Sequence, residues 1–312
     1  MENPNSTVLL NTDLPLPLFI KGKVRDTYNL GNQLLIIATD RISAFDVVLP
    51  MGIPSKGLVL NQISLFWFRH TADLIPNHLL EPVDDVHCID CYLTAKSSVS
   101  YPPYIIGRSM VVKKVKRIPV EGVVRGYLAG SAWQEYQQNR TIAGVPMPKG
   151  LRESQELRQP MFTPTTKAET GHDEPLAMKD IVNMLGKSTA EEMEEKSLAI
   201  YNFARNYAKA RGIIIADTKF EFGMDDGKLI LIDELLTPDS SRFWEAHLYE
   251  VGHSQPSYDK QPVRDWLAAS GWNREPPSPT LPPEVVEATT QRYIQGYERL
   301  TGKKLATANA VH

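Results

Sequence analysis

Polar and apolar residues alternate strictly over the stretch Asp217–Phe222. A period of two residues is typical of a β-strand that has one solvated and one buried face. An apolar run, Ile213–Ile215, precedes this stretch, and a second apolar run, Leu229–Ile232, follows a turn-rich segment around Gly227. The pattern therefore predicts a β-hairpin.

The polar face of the first predicted strand carries Asp217, Lys219 and Glu221. If the hairpin loop is centred on Gly227, Glu221 lies opposite Asp233, with Cβ atoms about 4.5–5.5 Å apart. Two carboxylates this close repel each other unless a cation lies between them. Hard oxygen ligands beside a lysine suit Mg²⁺ that carries nucleotide phosphates, and a solvated face with an ordinary salt bridge is the alternative.

The length of the hairpin loop decides whether those two carboxylates meet. A two-residue turn at Asp226-Gly227 moves Asp233 to the face of the phenylalanines, where an unpaired charge is costly. We therefore predict a longer loop with an odd number of residues.

Patterns elsewhere predict further strands and helices. Two strands, Phe19–Leu30 and Gln33–Thr39, are joined by a two-residue hairpin signal at Gly31-Asn32. A capping box, Ser188–Glu191, opens a long helix that ends at Gly212 and leads directly into the hairpin, against which we expect it to pack. A last helix is predicted over Glu284–Thr301, with Gly302 as its stop.

Two short segments have residues suited to binding anions. Lys23 and Arg25 lie two residues apart on the first predicted strand, beside Gly22, where backbone can approach a phosphate closely. Ser131 stands at a predicted helix start, where free N–H groups and a partial positive charge favour anions, and Arg125 precedes it. The alternatives are an exposed basic strand and a helix cap beside a surface arginine.

The segment 141–175 has the composition of a long loop. Loops of this length in a compact chain are usually functional or disordered. Its polar residues are candidates for a substrate site, although a single histidine in a loop is more often merely exposed; they are Thr165, Lys167, Glu169, His172 and Asp173.

Composition limits the classes of function. The 312 residues have a formal net charge of −3, 42% hydrophobic residues and 23% charged residues, which gives no general attraction to nucleic acid or to an anionic membrane. No apolar run approaches the roughly 20 residues of a membrane span, and the N-terminus does not resemble a secretory signal. Cys88 and Cys91 form at most half of a zinc site, and two unpaired thiols suit a reducing cytoplasm.

Six segments form a distinctive ordered set: GKVRD (Gly22–Asp26), ATDRISAFD (Ala38–Asp46), RIPVEGVVRGYLAGSAW (Arg117–Trp133), FTPTTKAETGHDE (Phe162–Glu174), IIIADTKFEFG (Ile213–Gly223) and DELLTPDSSRFW (Asp233–Trp244). Taken together and in this order, they resemble the SAICAR synthetase family, the phosphoribosylaminoimidazole-succinocarboxamide synthases of purine biosynthesis. The overall pattern is similar to the single-domain enzyme of fungi and some bacteria.

The resemblance implies an α+β fold. An N-terminal, mostly antiparallel lobe similar to the small lobe of a kinase would span residues 1–118, and a larger α/β lobe that binds ATP and substrate would span 119–312. It implies an enzyme, a carbon–nitrogen ligase that spends ATP, with Mg²⁺, to join the carboxylate of carboxyaminoimidazole ribonucleotide to the amine of L-aspartate. A cytoplasmic monomer is expected from chains of this length in the family.

The resemblance also implies roles for particular residues. Glu221 and Asp233 would hold Mg²⁺ and, with Lys219, form the catalytic group. Residues near ATP would be Lys23, Arg25, Lys113, Lys114 and Glu121. Residues near the ribonucleotide would be Arg125, Ser131 and Arg242 at its phosphate and Ser43 and Asp46 at its imidazole. Lys167 and Asp173 map to the loop expected near aspartate.

Two other functions share part of this pattern. A small-molecule kinase on a related two-lobed fold would also use Glu221, Asp233 and Lys23, but it would not need aspartate. A non-catalytic nucleotide-binding scaffold is less favoured, because every charged position of the matching motifs is occupied.

Overall fold

The computed structural model describes residues 8–45, 47–93, 100–167 and 173–305. The strands are β1 (Leu18–Lys21), β2 (Arg25–Asn29), β3 (Gln33–Ala38), β4 (Arg41–Ala44), β5 (Val47–Gly52), β6 (Leu79–Pro82), β7 (Ser109–Lys113), β8 (Lys116–Tyr127), β9 (Thr141–Ile142), β10 (Val145–Pro146), β11 (Glu156–Phe162), β12 (Thr165–Thr166), β13 (Ile213–Asp225), β14 (Lys228–Ile232) and β15 (Ser241–Glu245). The α-helices are α1 (Lys56–His70), α2 (Gly130–Asn139), α3 (Met178–Leu185), α4 (Lys187–Lys209), α5 (Gln261–Ala269) and α6 (Pro283–Thr301).

The chain divides into two compact units. The first comprises the described residues of Met1–Phe66, His78–Lys114 and Asp259–His312, and the second comprises Trp67–Asn77 and Val115–Tyr258. The change from the first unit to the second after Lys114 lies close to the predicted boundary at 118.

The C-terminal helices group with the first unit, which differs from the predicted second lobe of 119–312. The reason is visible in their contacts. The Lys56 ammonium lies 5.6 Å from the centre of the Tyr293 ring on α6. The backbone N–H of Leu281, just before α6, donates to the sulfur of Met51. These long-range contacts have no local signature in the sequence.

The first unit contains a five-stranded antiparallel sheet in the order β1-β2-β3-β7-β6. The predicted Gly31-Asn32 turn is confirmed, because Asn29 pairs with Leu34 on either side of it. The single long strand predicted from Phe19 is wrong. The chain turns at Gly22, whose N–H donates to the carbonyl of Arg25 at 2.7 Å, so β1 and β2 form a tight hairpin.

The second unit contains a six-stranded antiparallel sheet with the path β11-β8-β13-β14, where β12 also pairs with β8 and β15 with β13. Long strand β13 lies at its centre. The predicted alternation is confirmed over Thr218–Phe222, since Thr218, Phe220 and Phe222 are buried whereas Lys219 and Glu221 are partly exposed. Asp217, which was predicted on the solvated face, is buried. Mixed helices and antiparallel sheets make the fold α+β, as predicted.

The register of the β13–β14 hairpin differs from the prediction. Asp225 pairs with Lys228, so the turn is the two residues Asp226-Gly227, and Glu221 pairs with Ile232. Both turn residues have positive φ, 48° and 80°, the conformation of the two-residue turn whose twist matches a hairpin. The expected cost at Asp233 does not arise, because β14 ends at Ile232 and Asp233 leaves the strand with φ of 68°.

Helix α4 packs on this sheet, as predicted from its position before β13. Its buried face includes Ala190, Met193 and Ile200. The hydroxyl of Tyr201 donates to the carbonyl of Ile215 at 2.7 Å, and a Cβ at Gly126 would lie 1.9 Å from that hydroxyl. Helix and sheet therefore approach closely only because position 126 is glycine.

Three further observations bear on predicted elements. Helix α4 begins at Lys187 after Gly186 without a side-chain cap, so the predicted capping box at Ser188 is wrong. The stop of α6 at Gly302, with φ of 70°, is confirmed. Across the described residues, none of the helices has the length and apolar character that crossing a membrane requires.

Candidate active site

Two carboxylates face each other at the centre of the second unit's sheet. The register of β8 and β13 puts Glu121 directly opposite Glu221. Only 1% of Glu121 is exposed, whereas Glu221 is partly open to solvent. Like charges in this cross-strand relation destabilise a sheet unless cations compensate them.

Two lysines supply that compensation. The Lys167 Nζ atom lies 2.7 Å from Glu121 Oε1 and 2.7 Å from Glu221 Oε1, so it bridges the two strands. The Lys219 Nζ atom lies 2.9 Å from the same Glu121 oxygen. These four side chains, the carboxylate pair Glu121 and Glu221 with Lys167 and Lys219, are called the carboxylate cluster below.

The charges within the carboxylate cluster are strongly coupled. Burial by itself would lower the pKa of Lys167, but the carboxylates of Glu221 and Glu121 outweigh burial and raise that pKa. Lys167 is therefore a cation at every physiological pH. The other oxygen of Glu121, Oε2, is buried and has no hydrogen-bond partner among the described residues. A buried carboxylate oxygen of this kind has capacity for one more ligand.

Lys167 reaches the cluster because β12 brings its segment to the edge of β8. Thr165 pairs with Glu121, and the N–H of Lys167 donates to the carbonyl of Pro119 at 3.1 Å. The neighbouring residues 168–172, which include the candidates Glu169 and His172, lie outside the described residues. Asp173 is described and exposed.

A second cluster lies four residues along the same two strands. Asp217 pairs with Arg125 across β13 and β8, and its carboxylate also accepts a hydrogen bond from Arg242 on β15. The guanidinium of Arg125 donates to Thr163 at 3.0 Å and to Ser131 at 3.0 Å. These residues, Arg125, Ser131, Thr163, Asp217 and Arg242, are called the arginine cluster below.

The arginine cluster surrounds the start of α2. The predicted helix start near Ser131 is confirmed, because α2 begins at Gly130. A Cβ at Gly130 would lie 2.2 Å from an Arg242 nitrogen, and its φ is 56°, so glycine is required there twice over. Burial lowers the pKa of Arg125, Asp217 raises it and Arg242 lowers it again. Two guanidinium groups held at a helix N-terminus are suited to binding a phosphate.

The basic motif of the first unit forms a turn, so Lys23 and Arg25 do not share a strand face as the sequence pattern predicted. Lys23 is exposed at the tip of the β1–β2 hairpin, and Arg25 pairs with Ala38 on β3. Buried Arg41 fixes this turn. Its guanidinium donates to the carbonyls of Gly22, Lys23 and Leu10 and, through two nitrogens, to the carboxylate of Asp26.

The remaining predicted nucleotide and substrate residues of the first unit lie on or beside different strands where the structure describes them. Ser43 is partly buried on β4, where it pairs with Val48, and Asp46 lies outside the described residues. Lys113 and Lys114 are exposed at the end of β7. The Lys114 ammonium lies 3.3 Å from the side-chain oxygen of Asn29 and 5.0 Å from the centre of the Phe19 ring.

No group of three or more His, Cys, Asp or Glu side chains suited to a metal is found within the ranges that the structure describes. Cys88 and Cys91 are both free thiols. Burial raises the pKa of Cys88 to about 11, so this thiol is protonated at neutral pH. Mg²⁺ bound with nucleotide needs only one or two protein carboxylates, which the carboxylate cluster contains.

Comparisons of the sequence and of the structure with known proteins match the chain to the same family. The family model of SAICAR synthetase matches residues 18–279. The chain is 50% identical over 295 residues to a phosphoribosylaminoimidazole-succinocarboxamide synthase of Thermodesulfovibrio yellowstonii, covering 94% of this chain and 99% of that protein.

The chain belongs to the SAICAR synthetase family. It is 51% identical over 297 residues to the synthase of Desulfosudis oleivorans, covering 95% and 99% of the two chains. The SAICAR synthase of Saccharomyces cerevisiae, solved in complex with SAICAR, superposes with a TM-score of 0.86 at 44% identity over 95% of this chain and 99% of that one. A member from Pyrococcus horikoshii at 23% identity, with a TM-score of 0.63, shares the fold.

Membership of the SAICAR synthetase family establishes the activity class. The chain is an ATP-dependent carbon–nitrogen ligase of purine biosynthesis, and the kinase and scaffold alternatives are not favoured. The resemblance seen in the sequence motifs is thereby confirmed.

The structure brings together some predicted site residues of this SAICAR synthetase family member and separates others. Lys219, Glu221, Glu121 and Lys167 meet in one cluster, although the resemblance assigned them to three different ligands. Asp233 is not opposite Glu221.

Sequence reasoning missed the roles of Asp217 and Arg41. The alternation of β13 had put Asp217 on the same face as Glu221, which was a usable signal for Asp217. Nothing local pointed to Arg41 as the residue that fixes the hairpin turn.

Proposed function

We propose that this ligase joins the carboxylate of carboxyaminoimidazole ribonucleotide to the amine of L-aspartate on the face of β8 and β13 that carries both clusters. The observation that carries this proposal is their shared face. Asp217 and Glu221 are four residues apart on one strand, which corresponds to about 13 Å. That spacing suits a mononucleotide with its phosphate at the arginine cluster and its reacting carboxylate at the carboxylate cluster.

The chemistry explains why ATP is needed. A carboxylate and an ammonium form a salt instead of an amide, because the carboxylate oxygen is too poor a leaving group. Transfer of the γ-phosphoryl group of ATP to that oxygen gives ADP and an acyl phosphate. The deprotonated amine of aspartate then attacks the carbonyl carbon, and inorganic phosphate leaves with the oxygen. No protein nucleophile takes part, so the protein has to position the reactants and neutralise charge.

Mg²⁺ is the cation that this proposal assigns to the carboxylate cluster. The residues present fit it: Glu121 and Glu221 offer hard oxygen ligands on adjacent strands, Glu121 Oε2 has no partner among the described residues, and Asp233 follows the next strand. When bound, Mg²⁺ would neutralise the phosphates during transfer. Lys219, which already contacts Glu121 at 2.9 Å, would contribute positive charge beside it.

The other roles follow from the resemblance. Arg125, Ser131 and Arg242 would bind the 5′-phosphate of the ribonucleotide, with Ser43 and Asp46 near its imidazole. Lys23, Arg25, Lys113 and Lys114 would lie near ATP, and Asp173 near aspartate. The free thiols of Cys88 and Cys91 support a reducing compartment such as the cytoplasm, and a monomer is expected.

Substrate dependence tests the proposal directly. Purified protein is mixed with ATP, Mg²⁺ and carboxyaminoimidazole ribonucleotide, with and without L-aspartate, and ADP and product are measured by chromatography. We expect a succinocarboxamide product only with aspartate. Release of ADP at the full rate without aspartate, with phosphorylated nucleotide as the product, would contradict the ligase and support a kinase.

Replacing Arg125 by lysine tests the arginine cluster. Lysine cannot contact Thr163, Ser131 and Asp217 at once, so we expect the KM for the ribonucleotide to rise by about tenfold with a smaller change in kcat. Steady-state kinetics with each substrate varied in turn measure this. Arg158→Lys, on an exposed position of β11, is the matched control and should leave all KM values unchanged. If only the KM for ATP changes, Arg125 binds ATP and not the ribonucleotide.

A further inference from the structure

The bridging lysine of the carboxylate cluster occupies an unusual position. Its ammonium lies between two carboxylates that face each other on adjacent strands, at 2.7 Å from each. Two negative charges in this relation need a cation, and a divalent ion is the more effective one. Lysine is therefore doing the electrostatic task that the proposed function gives to Mg²⁺.

We propose that Lys167 is an exchangeable counter-ion, which holds Glu121 and Glu221 together before a divalent cation binds and leaves them when it does. This inference rests on the proposed metal site. Lys167 is thus a positioning residue that sets the affinity of the site for the cation.

The contacts around Lys167 favour an exchangeable ion pair over a permanent one. The side chain of Lys167 is 23% exposed, whereas that of Glu121 is 1% exposed, so the lysine has a path outward and the carboxylate does not. Lys167 is attached through a two-residue strand, β12, at the edge of β8. Lys219 also contacts Glu121, so part of the compensation remains when Lys167 leaves.

The charge balance of the cluster explains what exchange achieves. Two carboxylates and two ammonium groups carry no net charge, so a bare divalent cation gains little by approaching. A cation that arrives with polyphosphate brings a new anionic partner for the displaced ammonium. Exchange therefore makes the site bind the free cation weakly and the cation–nucleotide complex well, which couples the two ligands.

Direct binding of Mn²⁺ without nucleotide tests the inference, with electron paramagnetic resonance reporting free Mn²⁺. Lys167→Met leaves the carboxylate pair with less compensation, and we expect the Kd for Mn²⁺ to fall by roughly tenfold or more. Lys167→Arg retains the charge and should stay near the wild-type value. Lys187→Met removes an exposed lysine that contacts a single carboxylate, Glu191, at 3.7 Å, and is the matched control.

The outcomes separate this inference from the proposed function. If Glu221→Gln abolishes Mn²⁺ binding but Lys167→Met leaves the Kd unchanged or raises it, the metal site stands and the exchange is wrong. If Glu221→Gln binds Mn²⁺ as the wild type does, the carboxylate cluster does not hold the metal. Both the proposed metal site and the exchange of Lys167 are then wrong.

A second measurement uses the wild-type protein and does not depend on the variants folding. Acetic anhydride acetylates free amines, and mass spectrometry gives the rate at each lysine. We expect saturating Mg²⁺ to speed acetylation of Lys167 several-fold without changing Lys187. An unchanged or slower rate at Lys167 would overturn the exchange.

Discussion

Replacing Glu221 by glutamine should lower kcat by about 10²–10³-fold, or about 3–4 kcal/mol, the usual effect of removing one preorganised electrostatic contact. Glutamine keeps the shape of the side chain but removes the charge opposite Glu121 and the charged partner of Lys167. Turnover is measured at saturating ATP, ribonucleotide, aspartate and Mg²⁺, so that weaker metal binding alone does not account for the loss.

Glu195→Gln is the matched control for this substitution. Glu195 also contacts a lysine, Lys196, at 3.5 Å, but it is exposed on α4. Its kcat should equal that of the wild type. A loss of tenfold or less in Glu221→Gln under saturating Mg²⁺ would count against a ligand role for Glu221.

Replacing Arg41 by methionine should lower the free energy of unfolding by roughly 3–5 kcal/mol, the usual cost of removing one partner of a buried ion pair. Asp26 is 1% exposed and its carboxylate would lose both guanidinium donors, although Thr12 still donates to it at 2.8 Å. The carbonyls of Gly22 and Lys23 would also lose their donors. Chemical denaturation of variant and wild type measures the difference.

The control for Arg41→Met is Lys304→Met. Lys304 forms an ion pair with Glu298 at 3.0 Å, but 90% of its side chain is exposed, and exposed pairs contribute about 1 kcal/mol or less. If Arg41→Met lowers the free energy of unfolding by only about 1 kcal/mol or less, the prediction is wrong. Water would then replace the guanidinium beside Asp26. Because Arg41 fixes the turn that carries Lys23, we also expect a higher KM for ATP in Arg41→Met.

Local patterns predicted those parts of the fold whose cause is local. The alternation of β13, the Gly31-Asn32 turn, the start of α2 and the stop at Gly302 all follow from residues within a few positions of each other. The β13–β14 register was mispredicted because the alternation was extended to Asp233, one residue beyond the strand. Asp233 leaves the strand with a positive φ, and a two-residue period in the sequence does not predict where a strand ends.

The candidate site was only partly predictable because its central contact joins distant segments. Glu121 and Glu221 meet through the pairing of β8 with β13, and Lys167 joins them from a third segment. Charge repulsion predicted a cation between Glu221 and a second carboxylate, and the structure places the Lys167 ammonium between Glu221 and Glu121. It did not identify the carboxylate, because the choice between Asp233 and Glu121 depends on register. The grouping of the C-terminal helices with the first unit likewise depends on long-range contacts.

The order of translation matters for a chain whose two units are built from different segments of the sequence. Nearly all of the second unit is a single continuous stretch, Val115–Tyr258, whereas the first unit draws on segments from both ends of the sequence. During synthesis the sheet that carries both charged clusters is therefore available before its companion unit has all of its parts. Premature termination just after Tyr258 would give a fragment that keeps the strands of both charged clusters. The first unit of that fragment would lack α5 and α6, and Lys56 would lack the Tyr293 ring.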